Sequence, residues 1–216
     1  MSAMERKQEQ VEATLRLAPV VAVVVIDKLG DAVPLARALV GGGIKAIEVT
    51  LRTPVALDAI RAIGAEVEGA VVGAGTLLAP GDLRAAEEAG ARFVVSPGVT
   101  PALLDAADDS ILPYLPGAAT ATEAMQLFER GYTLQKFFPA TPAGGPEYLR
   151  SLASPLPGIR FCPTGGVSAL TARDWLAVPN VLCVGGSWLS VAKVVRAGDW
   201  HQVEMLAREA AALRVT

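Results

Sequence analysis

Eight short apolar runs alternate with longer stretches of helical period along this chain, and no other feature limits its fold as strongly. The runs are Val20–Ile26, Ile44–Val49, Ala70–Gly73, Ala91–Val95, Ile111–Leu115, Thr133–Phe138, Ile159–Cys162 and Val181–Val184. Between them lie segments rich in Ala, Leu, Glu and Arg, such as Asp31–Val40, Pro54–Ile63, Pro80–Ala89, Thr120–Arg130 and Ser168–Leu176. Strands that alternate with helices predict an α/β fold, a parallel sheet covered by helices. Eight units are the number that closes a (β/α)8 TIM barrel. A doubly wound open sheet is the rival, and eight units slightly exceed its usual count. The runs are nearly continuous in apolar residues, as strands buried on both faces should be. With no linker and no shift in composition, the 216 residues are expected to form one barrel domain over residues 1–216, with an additional N-terminal helix within residues 1–18.

Composition removes several classes of function. At 52% hydrophobic residues and a formal charge of −3, the chain is neither disordered nor drawn as a whole to nucleic acid or an anionic membrane. Any anionic substrate must be held by local groups. The N-terminal segment MSAMERKQEQ lacks the apolar centre of a signal peptide, and the longest apolar run, Ala18–Ile26, has 9 residues, about half of a membrane span. Cys162 and Cys183, 21 residues apart, match neither a metal spacing nor a disulfide framework. A cytoplasmic location is expected. His201 is the one histidine, so a Ser-His-Asp triad and histidine-rich metal sites are disfavoured, and no metal or cofactor is expected.

Polar residues inside such strands need a reason. The segment TLQKFFP, residues 133–139, sets Lys136 among phenylalanines, on one face with Leu134 and Phe138. An ammonium is costly to bury, and a buried amine that has shed its proton is a Schiff-base nucleophile. The plainer reading is a lysine that snorkels from a strand end or pairs with a carboxylate. In IKAIEVTLR, residues 44–52, Glu48 shares a face with Ile44, Ala46, Thr50 and Arg52, while Lys45 points to the outer side. Glu48 could shuttle protons and Arg52 hold an anion, or the two could neutralise each other.

Small residues also gather where strands end. GAGT (73–76), PTGGV (163–167) and GGS (185–187) occupy such positions, and the last two follow the seventh and eighth strands. Barrels commonly hold phosphate there on backbone N–H groups and a helix N-terminus. Gly165, Gly166, Gly186 and Ser187 are the candidate cradle; ordinary tight turns would need glycine too. GGG at 41–43 precedes a strand and reads as a helix stop.

Taken in order, GGIKAIEVTLRT (42–53), GAGT (73–76), SPG (96–98), KFFP (136–139), FCPTGG (161–166) and LCVGGS (182–187) resemble the 2-keto-3-deoxy-6-phosphogluconate aldolase family, of the KDPG/KHG type. The likeness runs from about Val20 to Leu213. It implies a (β/α)8 barrel, a homotrimer and metal-independent Schiff-base aldol cleavage of a small phosphorylated keto acid. By resemblance, Lys136 is the imine-forming lysine and Glu48 the general acid/base. Arg52 and Thr76 bind the pyruvyl carboxylate end, and Pro97 and Phe138 shape the pocket. Thr164, Gly165, Gly166, Gly186 and Ser187 hold the phosphate or line its site. Ala22 stands where the family often has proline, Asp27 where a basic residue is common, and Thr141 where glutamate is frequent. Arg52 and the Pro97-Gly98 pair favour a gluconate-type over a galactonate-type substrate, and 4-hydroxy-2-oxoglutarate shares the pyruvyl half. A phosphate-binding isomerase or synthase, or a non-catalytic sugar-phosphate sensor on the same fold, would form no imine with pyruvate.

Overall fold

Each of the eight apolar runs overlaps a strand in the computed structural model, which describes residues 2–213; residue 1 and residues 214–216 of the expected domain lie outside them. The strands are β1 (Val20–Val24), β2 (Ala46–Thr50), β3 (Val71–Gly75), β4 (Val94–Val95), β5 (Tyr114–Leu115), β6 (Gly117–Ala118), β7 (Leu134–Phe137), β8 (Arg160–Pro163) and β9 (Val184–Gly186). The helices are α1 (Ala3–Leu15), α2 (Ala32–Gly41), α3 (Ala56–Glu66), α4 (Pro80–Glu88), α5 (Pro101–Asp109), α6 (Ala121–Glu129), α7 (Gly145–Ala153), α8 (Ala172–Leu176), α9 (Ala192–Arg196) and α10 (Trp200–Ala211).

Helix ends follow local chemistry. Thr120 caps α6 in a box with Glu123, and Thr100 caps α5 by accepting from the Leu103 N–H. Asp82 sits in the first turn of α4 and accepts from the N–H groups of Leu78 and Ala79. The run at 41–43 is the helix stop expected, with Gly43 in the left-handed region at φ 94°. Gly42 has a second reason: a Cβ there would stand 2.6 Å from the Glu204 carbonyl oxygen of α10.

Pairing is parallel throughout. A curled six-stranded sheet runs in the order β5-β4-β3-β2-β1-β9, and a three-stranded one in the order β6-β7-β8. Between β5 and β6 stands Pro116. It has no N–H to give a ladder, but its carbonyl accepts from the Lys136 N–H at 2.8 Å. Isolated parallel bridges join Phe161 to Val181 and Thr164 to Gly185.

Alternation divides the buried side chains into two clusters. Val20, Ala22, Val24, Ile47, Val49, Phe137 and Phe161 face the surrounding helices. Val21, Ala46, Phe93, Val95, Leu115, Leu134, Cys162, Leu182 and Cys183 face inward, and Val11 and Leu15 of α1 complete that inner cluster. α1 therefore covers the end of the sheet away from the C-terminal strand tips. It is tied down by polar contacts as well. Lys7 Nζ donates to the carbonyls of Ala107 (3.0 Å) and Asp108 (2.8 Å) at the C-terminal end of α5. Gln8 Oε1 accepts from the Leu134 N–H at 3.0 Å, and Glu12 meets Arg160 at 2.7 Å. Burial alone would raise the Glu12 carboxyl; hydrogen bonds from Arg160 and Arg16 outweigh it and hold the group below the usual carboxylate range.

Candidate active site

Lys136 and Glu48 come from strands that do not pair with each other, yet both point to the inner face. β7 sets Lys136 level with Gly117 on one side and Cys162 on the other. β2 sets Glu48 level with Val23 and Gly73. Lys136 Nζ lies 3.2 Å from Glu48 Oε1, and the two residues are 4% and 3% exposed. The Phe138 ring is centred 5.3 Å from the same nitrogen, within cation–π range. Among the described residues no three His, Cys, Asp or Glu side chains converge to hold a metal ion.

Room for this pair is made by glycines whose role is not visible in sequence. Gly73 and Gly75 belong to β3 itself rather than to its turn. A Cβ on Gly75 would stand 2.5 Å from Glu48 Cγ and 2.6 Å from its Cδ. One on Gly73 would stand 2.6 Å from the Phe93 ring. The carboxylate thus occupies space that any other residue at position 75 would fill. Its φ is not left-handed, so Gly75→Ala should fold while displacing Glu48. Aldol cleavage should fall by roughly 10² or more, in the range lost with a general acid/base, with pyruvate capture by borohydride retained. Unchanged cleavage by that variant would show that the carboxylate needs no such opening.

The rim carries the other expected residues. Arg52 Nε donates to Thr76 Oγ1 at 3.2 Å. Thr76 adopts φ 63°, the one non-glycine residue with positive φ among those described. A β-branched side chain there costs on the order of 1–3 kcal/mol and persists only where the surroundings impose it. Thr50 Oγ1 ties the end of β2 to the Val24 carbonyl at 3.0 Å. Pro97 is half-buried and packs on Gly117, where a Cβ would stand 2.7 Å from Gly98 N. Behind it Ser96 and Tyr114 share a buried 2.5 Å hydrogen bond; burial pushes the Tyr114 phenol up, against the pull of Ser96.

Phe138 links the amine to the glycine-rich loop, since a Cβ on Gly165 would stand 3.1 Å from its ring. Gly165 and Gly166 are both left-handed, at φ 98° and 83°. The Thr141 N–H donates to the Gly165 carbonyl at 2.9 Å, and a Cβ on Gly166 would stand 2.5 Å from Thr141 Oγ1. Thr141 is therefore a neighbour of the loop that its position in the sequence only hinted at. Thr164 is buried, its hydroxyl directed to the Cys162 carbonyl at 3.4 Å. Gly186 lies within β9 with the Trp188 ring where its Cβ would be, so it can face a ligand only through its backbone. Ser187 is exposed and opens the turn Trp188–Ser190. Cys162 and Cys183 are free thiols in the inner cluster; the hydrogen bond of the Cys183 thiol to Cys162, and then burial, push that thiol well up. They are packing residues.

A buried amine in contact with a buried carboxylate, on the inner face of a curled parallel sheet, defines an α/β protein built around a lysine-centred site. The profile of the KDPG and KHG aldolase family matches residues 11–206. The KHG/KDPG aldolase of Escherichia coli (strain K12) is 49% identical over 207 residues, 96% of this chain and 97% of that one. The crystal structure of the 2-keto-3-deoxy-6-phosphogluconate aldolase of Zymomonas mobilis ZM4 with 3-phosphoglycerate gives a TM-score of 0.92 at 45% identity, covering 96% of this chain and 97% of that one. The KDPG aldolase from Legionella pneumophila, solved with pyruvate captured at low pH as a covalent carbinolamine intermediate, gives a TM-score of 0.90 at 41% identity, covering 93% and 98%. The chain belongs to the KDPG and KHG aldolase family.

Proposed function

We propose that this protein is a class I (Schiff-base) aldolase. It cleaves 2-dehydro-3-deoxy-6-phosphogluconate to pyruvate and D-glyceraldehyde 3-phosphate, and 4-hydroxy-2-oxoglutarate to pyruvate and glyoxylate. The observation that carries the reading is the 3.2 Å contact between Lys136 Nζ and Glu48 Oε1 in a setting nearly closed to solvent. The dual naming of the Escherichia coli relative supports the second substrate.

The Lys136 amine attacks the C2 ketone to give a carbinolamine, and loss of water gives an iminium. The 3.2 Å contact sets Glu48 beside that nitrogen. It then removes the C4 hydroxyl proton, the C3–C4 bond breaks, and its electrons flow into the iminium. The aldehyde departs and an enamine of pyruvate remains. Glu48, now protonated, helps return a proton to C3, and water hydrolyses the imine. Arg52 and Thr76, already joined by a hydrogen bond, bind the pyruvyl carboxylate. Pro97 and Phe138 wall the pocket, and Thr164, Gly165, Gly166, Gly186 and Ser187 hold the phosphate. Incubation with pyruvate and borohydride, followed by intact mass and peptide mapping, tests the reading. One adduct on Lys136 supports it, and no adduct on any lysine rejects it.

The same reading completes the architecture as a single (β/α)8 barrel domain with α1 across its N-terminal end. The bridges of Phe161 with Val181 and Thr164 with Gly185 support closure on one side, and the short interruption of β5 and β6 at Pro116 supports it on the other. A homotrimer in the cytoplasm fits it too. Leu78 and Leu29, 65% and 44% exposed, leave apolar surface for subunit contact, and no described helix is long and apolar enough to cross a membrane.

Ser187→Asp tests the phosphate end. A carboxylate set against a dianion should lower kcat/KM for the phosphorylated substrate by about tenfold or more. Cleavage of 4-hydroxy-2-oxoglutarate should change much less, and the pyruvate adduct should still form. Equal losses on both substrates would place Ser187 in support of the lysine pocket instead.

A further inference from the structure

A cavity of ≈ 350 Å³ opens beside Ser187, over the C-terminal ends of β1 and β9. Val23, Asp27, Lys28, Asp31, Ser187 and Arg196 are among the residues that line it. Val23 is level with Glu48 in the β1–β2 pair, so the cavity begins one strand from the proposed acid/base. Its wall also includes Ser187, Lys28 after β1 and Arg196 at the end of α9. Among the described residues neither Lys28 nor Arg196 has an ion-pair or side-chain hydrogen-bond partner. Two uncommitted cations therefore share a cavity with the serine assigned to the phosphate.

Charge gives this arrangement its meaning. Gly165, Gly166, Gly186 and Ser187 offer amides and a hydroxyl, none with a net charge. A phosphate dianion held by dipoles alone forgoes the stronger, charge-assisted bonds that an ammonium or a guanidinium supplies. We propose that Lys28 and Arg196 form a cationic clamp on the terminal phosphate of the substrate, and that this clamp sets the preference for a phosphorylated acid over its unphosphorylated counterpart. The proposal rests on the aldolase reading. Both side chains are exposed, so closing on the ligand orders two long chains without burying a charge beforehand. Asp27 and Asp31 line the same cavity. Their carboxylates can accept from substrate hydroxyls.

The test uses the full chain and the double variant Lys28→Gln, Arg196→Gln. Cleavage is measured on the six-carbon phosphorylated keto acid and on the same acid without its phosphate. Pyruvate capture by borohydride in the variant reports that the lysine pocket is intact. Loss of charged hydrogen bonds should raise KM for the phosphorylated substrate roughly tenfold or more, with kcat nearly kept. The selectivity ratio should fall accordingly, and the dependence of KM on salt should flatten, because exposed charges are screened. Equal losses on both substrates, or no change on either, would overturn the clamp. So would a selective loss in Ser187→Asp with none in the double variant, which would leave the phosphate to the glycine loop alone. Absence of both cleavage and adduct in the unaltered protein would instead sink the aldolase reading itself.

Discussion

Lys136→Arg should leave a folded protein that neither cleaves substrate nor forms a borohydride-stable adduct with pyruvate. Arginine keeps a cation beside Glu48, so the buried carboxylate retains a partner and the inner face no uncompensated charge. A guanidinium does not lose its proton in proteins and cannot condense with a ketone. Without the iminium there is no electron sink for C3–C4 cleavage. The expected loss is on the order of 10⁴-fold or more, the scale on which a covalent nucleophile matters. Near wild-type turnover by this variant would remove Lys136 from the reaction, whatever the resemblance of KFFP to the family pattern.

Glu48→Gln should separate the two halves of the cycle. The amide is close to the carboxylate in shape, and its oxygen can still accept from Lys136, so pyruvate should still be captured. What the amide cannot do is take the C4 hydroxyl proton or return one to C3. Cleavage, and exchange of deuterium into the pyruvate methyl group, should therefore slow together by roughly 10²–10⁴-fold. The paired readout matters because a merely structural defect would lower pyruvate capture as well. Exchange at the unaltered rate would assign the proton traffic to some other group.

Parts of this site were legible from residues alone because strand side chains alternate with a period of two. That rule put Lys136 on a face with Leu134, and Glu48 on a face with Ala46 and Thr50, as they are found; Ile44, counted with them, precedes β2 and packs in the helix-facing cluster instead. Other parts had no local signal. α5 and α7 were not delimited in sequence. α7 begins at Gly145 behind the left-handed Gly144, and no side chain caps it to announce its start. β4 and β5 have only two residues each, shorter than the apolar runs Ala91–Val95 and Ile111–Leu115 that contain them. Gly75 reads as lying past the end of the run Ala70–Gly73, whereas it belongs to β3, and the missing side chains of Gly73 and Gly75 make room for Phe93 and for the Glu48 carboxylate. Thr76 gave no sign of its left-handed backbone, since nothing in its residue type favours that conformation.

The division follows from the range over which each effect acts. Alternation of apolar runs with helical segments is written into neighbouring residues, so the α/β class, the parallel sheet and which residues within a strand share a face were settled by the sequence. Separation between strands is not a local quantity. Lys136 and Glu48 are 88 positions apart, and their strands belong to different hydrogen-bonded sheets. Only the curl of those sheets around the inner cluster of Val21, Phe93, Leu115 and Cys162 brings the two side chains to 3.2 Å. The cavity that joins Ser187 to Lys28 and Arg196 arises in the same way. Its walls come from opposite ends of the chain, and their meeting depends on β1 pairing with β9.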